Sequence, residues 1–214
     1  MGRPRLARGR VDRVIISLDT SSAISVAITD AEATEALARR MIFAPRGHAE
    51  QLSEVVRQAM EEAGVARSDV TGIVVGTGPA PFTGLRVGLV TGRMLAFAWD
   101  VPVWGVCSLD ALGAAERDVV VVGDARRREV YWARYAAGRR IEGPAVAAPA
   151  DVRIGAGERT VGRGATLYPD YFPGAAEADP DPLWLAREAL RRRAAGENLG
   201  TEPLYLRRPD VHGA

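Results

Sequence analysis

GTGPAPFTGLRVGLVTGRMLAF, residues 76–97, runs a glycine-rich loop into a helical stretch. Loops of this kind often present their amides to phosphate. A P-loop, however, needs G-x-x-x-x-G-K-[ST], with its Lys on the phosphates. This chain contains no Lys; all 28 of its basic residues are Arg. The dinucleotide fingerprint G-x-G-x-x-G fails as well, because Gly76 and Gly78 fit but the third glycine position is Pro81. Further on, Gly84, Gly88 and Gly92 recur every four residues and share one helix face. An interior glycine costs about 1 kcal/mol relative to Ala, so three of them call for a close backbone approach. Two neighbours fit: the protein's own sheet, or another helix, from this chain or from a second one. Leu85, Leu89, Leu95 and Phe97 remain to serve the core. The stretch reads as architecture rather than as a phosphate site.

Working outward, Val70–Gly76 reads as a buried strand leading into the loop, with a helix over 83–99 after it. A second buried strand follows at 101–106, and Ser108 caps a short helix reaching 115. Upstream, Val14–Asp19 is an apolar run ending in an acid. Residues 23–30 then alternate, with Ile24, Val26 and Ile28 on one face, and 34–41 is a third strand. Leu52, Val55, Val56, Ala59 and Ala63 sit at helical spacing over 48–64, which Gly64 closes. The second half begins in the same style. Residues 119–122 are apolar and lead to Gly123 and Asp124; 129–135 and 141–147 read as strands. A helix at 182–195 carries Arg191, Arg192 and Arg193 in its last turns, and 203–208 is a short terminal strand or an extended segment. Both halves thus open with an apolar strand ending in an acid, Asp19 and Asp124. This pattern suggests a duplicated β-β-β-α unit dividing near 113–118.

Of the 214 residues, 47% are hydrophobic and 26% charged, as in a soluble globular protein with a sizeable core. No apolar run approaches the roughly 20 residues of a membrane span. No apolar stretch follows Arg3, Arg5, Arg8 and Arg10, so no secretory signal is expected. The single cysteine, Cys107, fits a reducing cytosol. A cytoplasmic location is therefore expected. The formal net charge is +1, yet the first 13 residues hold five Arg against one Asp, so the rest is net acidic. Residues 1–12 read as a disordered basic extension, or as an arm that touches RNA phosphates.

Little here looks catalytic. His48 and His212 lie in unlike contexts, no H-x-x-x-H occurs, and neither a metal nor a cofactor is expected. Cys107 has no neighbouring His and reads as a buried thiol. Ser21 and Ser22 lie in a turn without a G-x-S-x-G elbow. Asp19 has two readings: an acid that holds hydrated Mg²⁺ near a nucleotide phosphate, or one that takes backbone N–H bonds from 20–22 and ends the strand. The second carries more weight. Asp124 opens the same choice, and the DARRREVY run, 124–131, is either a solvated turn or a set of guanidinium groups for a phosphate or a partner's acids.

The ordered set LDTSSAISVAI, HAEQL, GTGPAPFTGLRVGLVTGRMLA, PVWGVCSLDAL, DARRREVYWA and EPLYLR resembles the TsaB (YeaZ) family across about residues 14–208. That family usually has Gly-Ser where this chain has Ala80 and Pro81. The arm at 1–12 lies outside its pattern. The resemblance implies an α/β ASKHA (actin-like ATPase) fold, a duplicated β-β-β-α-β-α unit in two subdomains, the second degenerate. These would span 13–115 and 116–214. It implies a non-catalytic role in placing a threonylcarbamoyl group on the adenosine next to the anticodon of ANN-reading tRNAs. Its partners would be a TsaD-like catalytic paralogue and a TsaE-like ATPase. tRNA would be reached through the complex, and a homodimer would form when the chain is alone. The matching contact surface is the helix pair at 48–63 and 83–99, with His48, Leu52, Val55, Ala59, Gly84, Gly88 and Gly92 as candidate partner-binding residues. Two other classes remain open: an ATP-dependent ASKHA kinase using Asp19 and Asp124, and a metallopeptidase-like protein.

Overall fold

The computed structural model describes residues 13–43 and 48–207, with backbone only for 48–50. The basic arm, the side chain of His48 and the whole of His212 therefore lie outside the described residues. Fourteen elements follow one another: β1 (Val14–Asp19), β2 (Ile24–Asp30), β3 (Ala36–Ile42), α1 (His48–Ala63), β4 (Val70–Gly76), α2 (Phe82–Trp99), β5 (Val103–Val106), α3 (Ser108–Glu116), β6 (Val119–Asp124), β7 (Val130–Ala136), β8 (Arg139–Ala147), β9 (Thr160–Val161), α4 (Arg163–Leu167) and α5 (Pro182–Ala194). Among the described residues no helix is long and apolar enough to cross a membrane.

The strands form two sheets, ordered β3-β2-β1-β4-β5 and β8-β7-β6-β9. In the first, β1 pairs antiparallel with β2 and parallel with β4. In the second, β6 pairs antiparallel with β7 and parallel with β9. Order and sense repeat, so the duplicated ASKHA architecture is present. The second copy is the degenerate one. Its β9 has two residues, α4 has five where α2 has eighteen, and a loop with one 3₁₀ turn, Pro149–Asp151, stands in place of α1.

The central strands are apolar on both faces because both faces are covered. Val14, Ile16 and Leu18 of β1 pack under α1 and α2 with Ile73 and Val75 of β4. Ile15 and Val74 point the other way, onto Leu185, Ala186 and Ala189 of α5. The polar member of that face, Ser17, donates its hydroxyl to Pro182 O at 2.6 Å. Burial of this kind contributes roughly 1.5–3 kcal/mol per large aliphatic side chain.

Packing moves two helices across the expected division at 115/116. Leu109 and Leu112 of α3 join Val119, Val121 and Ala133 of the second sheet. In return α5 covers the first sheet, and the chain after it stays there: Gly105 N donates to Leu199 O at 3.1 Å and Leu204 N to Thr77 O at 2.8 Å. Of the two readings of the terminal segment, the extended one holds: residues 203–207 form a strap without a strand ladder, and Pro203 has no N–H to give one. Ser108 is not a cap either. It is the first residue of α3, after Cys107, and its hydroxyl is engaged elsewhere.

The glycine ridge of α2 faces inward. Thr20, just past β1, pushes its hydroxyl into the helix, donating to Gly84 O at 2.8 Å and accepting from Gly88 N at 3.2 Å. A Cβ on Gly88 would lie 2.4 Å from Thr20 Oγ1, and one on Gly92 would lie 2.1 Å from Val75 Cγ1. Ridge and sheet therefore touch almost backbone to side chain. Gly92→Ala is expected to destabilise the protein by about 1–3 kcal/mol in urea unfolding. The stiff, β-branched Val75 cannot swing aside, and this outweighs the helix-propensity gain of about 1 kcal/mol. A more stable variant would mean that α2 stands off the sheet.

Candidate functional site

A cleft of about 780 Å³ opens between the two halves. Thr20 and Ser21 line it at the end of β1, and Gly123 and Asp124 at the end of β6. Thr83 of α2 and Leu109 of α3 form part of its walls. The two strand-end acids close identical turns. Asp19 Oδ1 accepts from Ser21 N at 2.8 Å, and Asp124 Oδ1 accepts from Arg126 N at 2.7 Å, each two residues on. Beyond that they differ. Asp19 is buried beneath the cleft wall, and its Oδ2 accepts from the Ser108 hydroxyl, which in turn accepts from Gly78 N at 3.1 Å. Both Asp19 oxygens are thus engaged within the protein. Asp124 lines the cleft and pairs with Arg126 at 3.4 Å.

The cleft is latched by side chains from both halves. Ser22 donates to Asp179 Oδ1 at 2.6 Å. Arg163 holds Asp179 through two bonds, 2.7 and 3.0 Å, and lies 4.0 Å over the ring of Phe43. Such a bidentate pair fixes geometry as well as charge. Catalytic groups are sparse. Burial pushes the Cys107 thiol up to about 12, which keeps it protonated and inert. Among the described residues no three His, Cys, Asp or Glu side chains converge as metal ligands.

The helical layer places five of the expected partner-binding residues in the interior. Leu52, Val55 and Ala59 of α1 are core residues under β2 and β3, and Gly88 and Gly92 face the sheet. These five face the protein's own core, whereas Gly84 is half-buried and lines the cleft. The open face of α2 lies opposite the glycines. Val90, Met94 and Phe97 are 57%, 60% and 85% exposed, so Phe97 is not the core residue that its apolar character suggests. These three follow a 4-then-3 spacing and share one stripe; that spacing was legible beside the glycine ridge. Beside the stripe, the ring of Phe82 stacks on Tyr205 of the strap at 4.9 Å between centroids. Arg86 covers Phe82 at 3.6 Å and donates to the Tyr205 hydroxyl at 2.9 Å.

Burial raises the Asp19 carboxyl above its ordinary value, against the opposing hydrogen bonds from Ser108 and Ser21. A native state that holds this proton more tightly than the unfolded chain gains stability as pH falls. It loses that stability as pH rises through the raised value. Asp19→Asn keeps the shape, lets Oδ1 accept from Ser21, and makes Ser108 accept from both the amide and Gly78 N. The variant is expected to melt above wild type at about pH 8, with the gap closing toward about pH 4. A variant that melts well below wild type at the higher pH would show that the ionised carboxylate itself holds the turn.

The chain matches the family described as "TsaD: tRNA N6-adenosine threonylcarbamoyltransferase" over residues 42–161, more than half its length. YeaZ from Pseudomonas aeruginosa is 32% identical and superposes with a TM-score of 0.76, covering 91% of this chain and all of that one. The "tRNA threonylcarbamoyladenosine biosynthesis protein TsaB" of Escherichia coli is 31% identical over 128 residues, 56% of this chain and 54% of that protein. An uncharacterized protein of Mycobacterium tuberculosis is 39% identical over 199 residues, 92% of this chain and 93% of that one. Sequence and fold agree across nearly the whole length of the solved relative, and the chain belongs to the TsaB (YeaZ) family.

Proposed function

We propose that this chain is a non-catalytic subunit in the synthesis of threonylcarbamoyladenosine on tRNA. In this role it supports a TsaD-like paralogue that transfers the threonylcarbamoyl group to the adenosine beside the anticodon of ANN-reading tRNAs. The relatives named TsaB carry that process in their names. The observation that carries the supporting role is the stripe of Val90, Met94 and Phe97, three large apolar side chains turned to solvent on one helix face. Exposed apolar stripes of this kind mark protein contacts. Their spacing suits a partner helix laid alongside α2. A TsaE-like ATPase joins the same assembly on this reading, tRNA is reached through the complex, and two copies of this chain pair through the stripe when the paralogue is absent.

The kinase alternative needs an acid at the end of β1 that faces the cleft. Asp19 lies beneath the wall with both oxygens engaged, which weighs against it. The metallopeptidase alternative has no convergent ligand set among the described residues to support it.

Met94 stands at the centre of the stripe. Met94→Arg is expected to weaken binding of the catalytic paralogue by about 2–4 kcal/mol, at least roughly thirtyfold in Kd, measured by calorimetry with purified components. Its thermal midpoint should stay within a few degrees of wild type, because the side chain is exposed. Unchanged affinity would remove this face of α2 from the contact.

A further inference from the structure

The turn between β6 and β7 takes no part in the latch or the helix stripe. It presents Arg126, Arg127 and Arg128 in succession, all exposed. Their φ values are +63°, +52° and +62°. Left-handed backbone favours Gly, or Asn and Asp, so three Arg in a row make this turn less stable than Gly or Asn would. The backbone is nevertheless held tightly. Asp124 closes its start, Glu129 N donates to Arg126 O at 3.0 Å, and Ala125 N donates to Glu129 O at 3.1 Å. From outside, Arg207 of the strap donates to Ala125 O at 2.9 Å and pairs with Glu129 at 3.0 Å. Residues 124–129 with Arg207 hold four Arg against two acids. The result is a rigid turn, strained by its own sequence, that carries surplus guanidinium charge outward.

Its position is as informative as its charge. Arg207 lies two residues after Tyr205, which stacks on Phe82 at the start of α2 and bonds Arg86. Two residues of chain span at most about 7 Å. The strap thus links the turn to the start of α2, at Phe82 and Arg86, and Arg126 also lines the cleft. A polyanion that reaches the cleft beside the start of α2 would meet the turn.

We propose that the β6–β7 turn is a phosphate-backbone contact for the RNA substrate, made while the catalytic partner is docked on α2. This rests on the tRNA reading given above. Guanidinium groups carried on successive residues of a hydrogen-bonded turn suit successive phosphates, because each can form two parallel bonds to phosphate oxygens. Their contribution is read through salt, since each neutralised phosphate releases counterions.

The test uses the full chain assembled with its catalytic paralogue and an unmodified tRNA transcript, titrated by fluorescence anisotropy over a series of salt concentrations. The variant carries Arg126→Asn, Arg127→Asn and Arg128→Asn, residues that the left-handed backbone accepts. At about 0.15 M salt its tRNA affinity is expected to fall roughly tenfold, and the slope of log K against log salt to shrink by about 2. Affinity for the paralogue should stay unchanged and the melting temperature should not fall. A second variant with Lys at all three positions should bind tRNA within about threefold of wild type. An unchanged slope and affinity in the Asn variant would overturn the proposal while leaving the tRNA reading intact. Loss of the paralogue with tRNA binding retained would overturn it in favour of an acidic protein contact. Failure of the wild-type complex to bind tRNA would overturn both this proposal and the reading beneath it.

Discussion

The Asp19 carboxyl group, taken out of water at the end of β1, holds three segments that are far apart in sequence. Ser21 closes the turn after the strand, Ser108 brings in the start of α3, and through Ser108 the amide of Gly78 fixes the loop before α2. A buried carboxylate is costly unless its oxygens are bonded, so each of these segments has one allowed position. Gly76 shows how tight the fit is, since a Cβ there would lie 1.7 Å from Asp19 Oδ2. The glycine-rich loop is therefore shaped around an acid of the protein itself rather than around a ligand's phosphate. The next residue, Thr20, carries the constraint into α2, because its hydroxyl enters the helix between Gly84 and Gly88. Once that face is seated, Val90, Met94 and Phe97 have only solvent or a partner to face.

Duplication explains why the cleft exists, and its decay leaves the exposed apolar helix face on one side only. The two sheets repeat the same strand order, and their central strands end in acids that close the same two-residue turn. In the first copy the acid itself is buried and only the turn after it reaches the cleft. In the second copy the α1 counterpart is missing and α4 is a single short turn of helix. Asp124 therefore stays at the cleft surface, and its turn projects as a basic tip. One ancestral geometry has become a structural anchor in one half and a surface device in the other.

Much of this was legible in the residues, and the failures share a cause. The strand pairs at both halves' starts follow from apolar runs and alternation, which are local signals. The spacing of Gly84, Gly88 and Gly92 correctly marks a close approach, but spacing cannot say what approaches; here it is Thr20 and Val75. Leu52, Val55 and Ala59 likewise show which face of α1 is apolar, and that face is the core. The exchange of α3 and α5 between sheets, and the latch from Ser22 to Asp179, join residues that no local pattern connects. For that reason the expected division at 115/116 did not anticipate that α3 and α5 pack across it. Function came from a different kind of signal, the ordered set of family motifs, which the fold comparison supports and which composition alone could not supply.

The most direct test of the account is made in the organism that carries this chain: mass spectrometry of nucleosides from its tRNA after the protein is depleted. The account predicts that threonylcarbamoyladenosine falls and that re-expression of the chain restores it. Unchanged levels under complete depletion would mean that the family fold persists here without the family's role in tRNA modification.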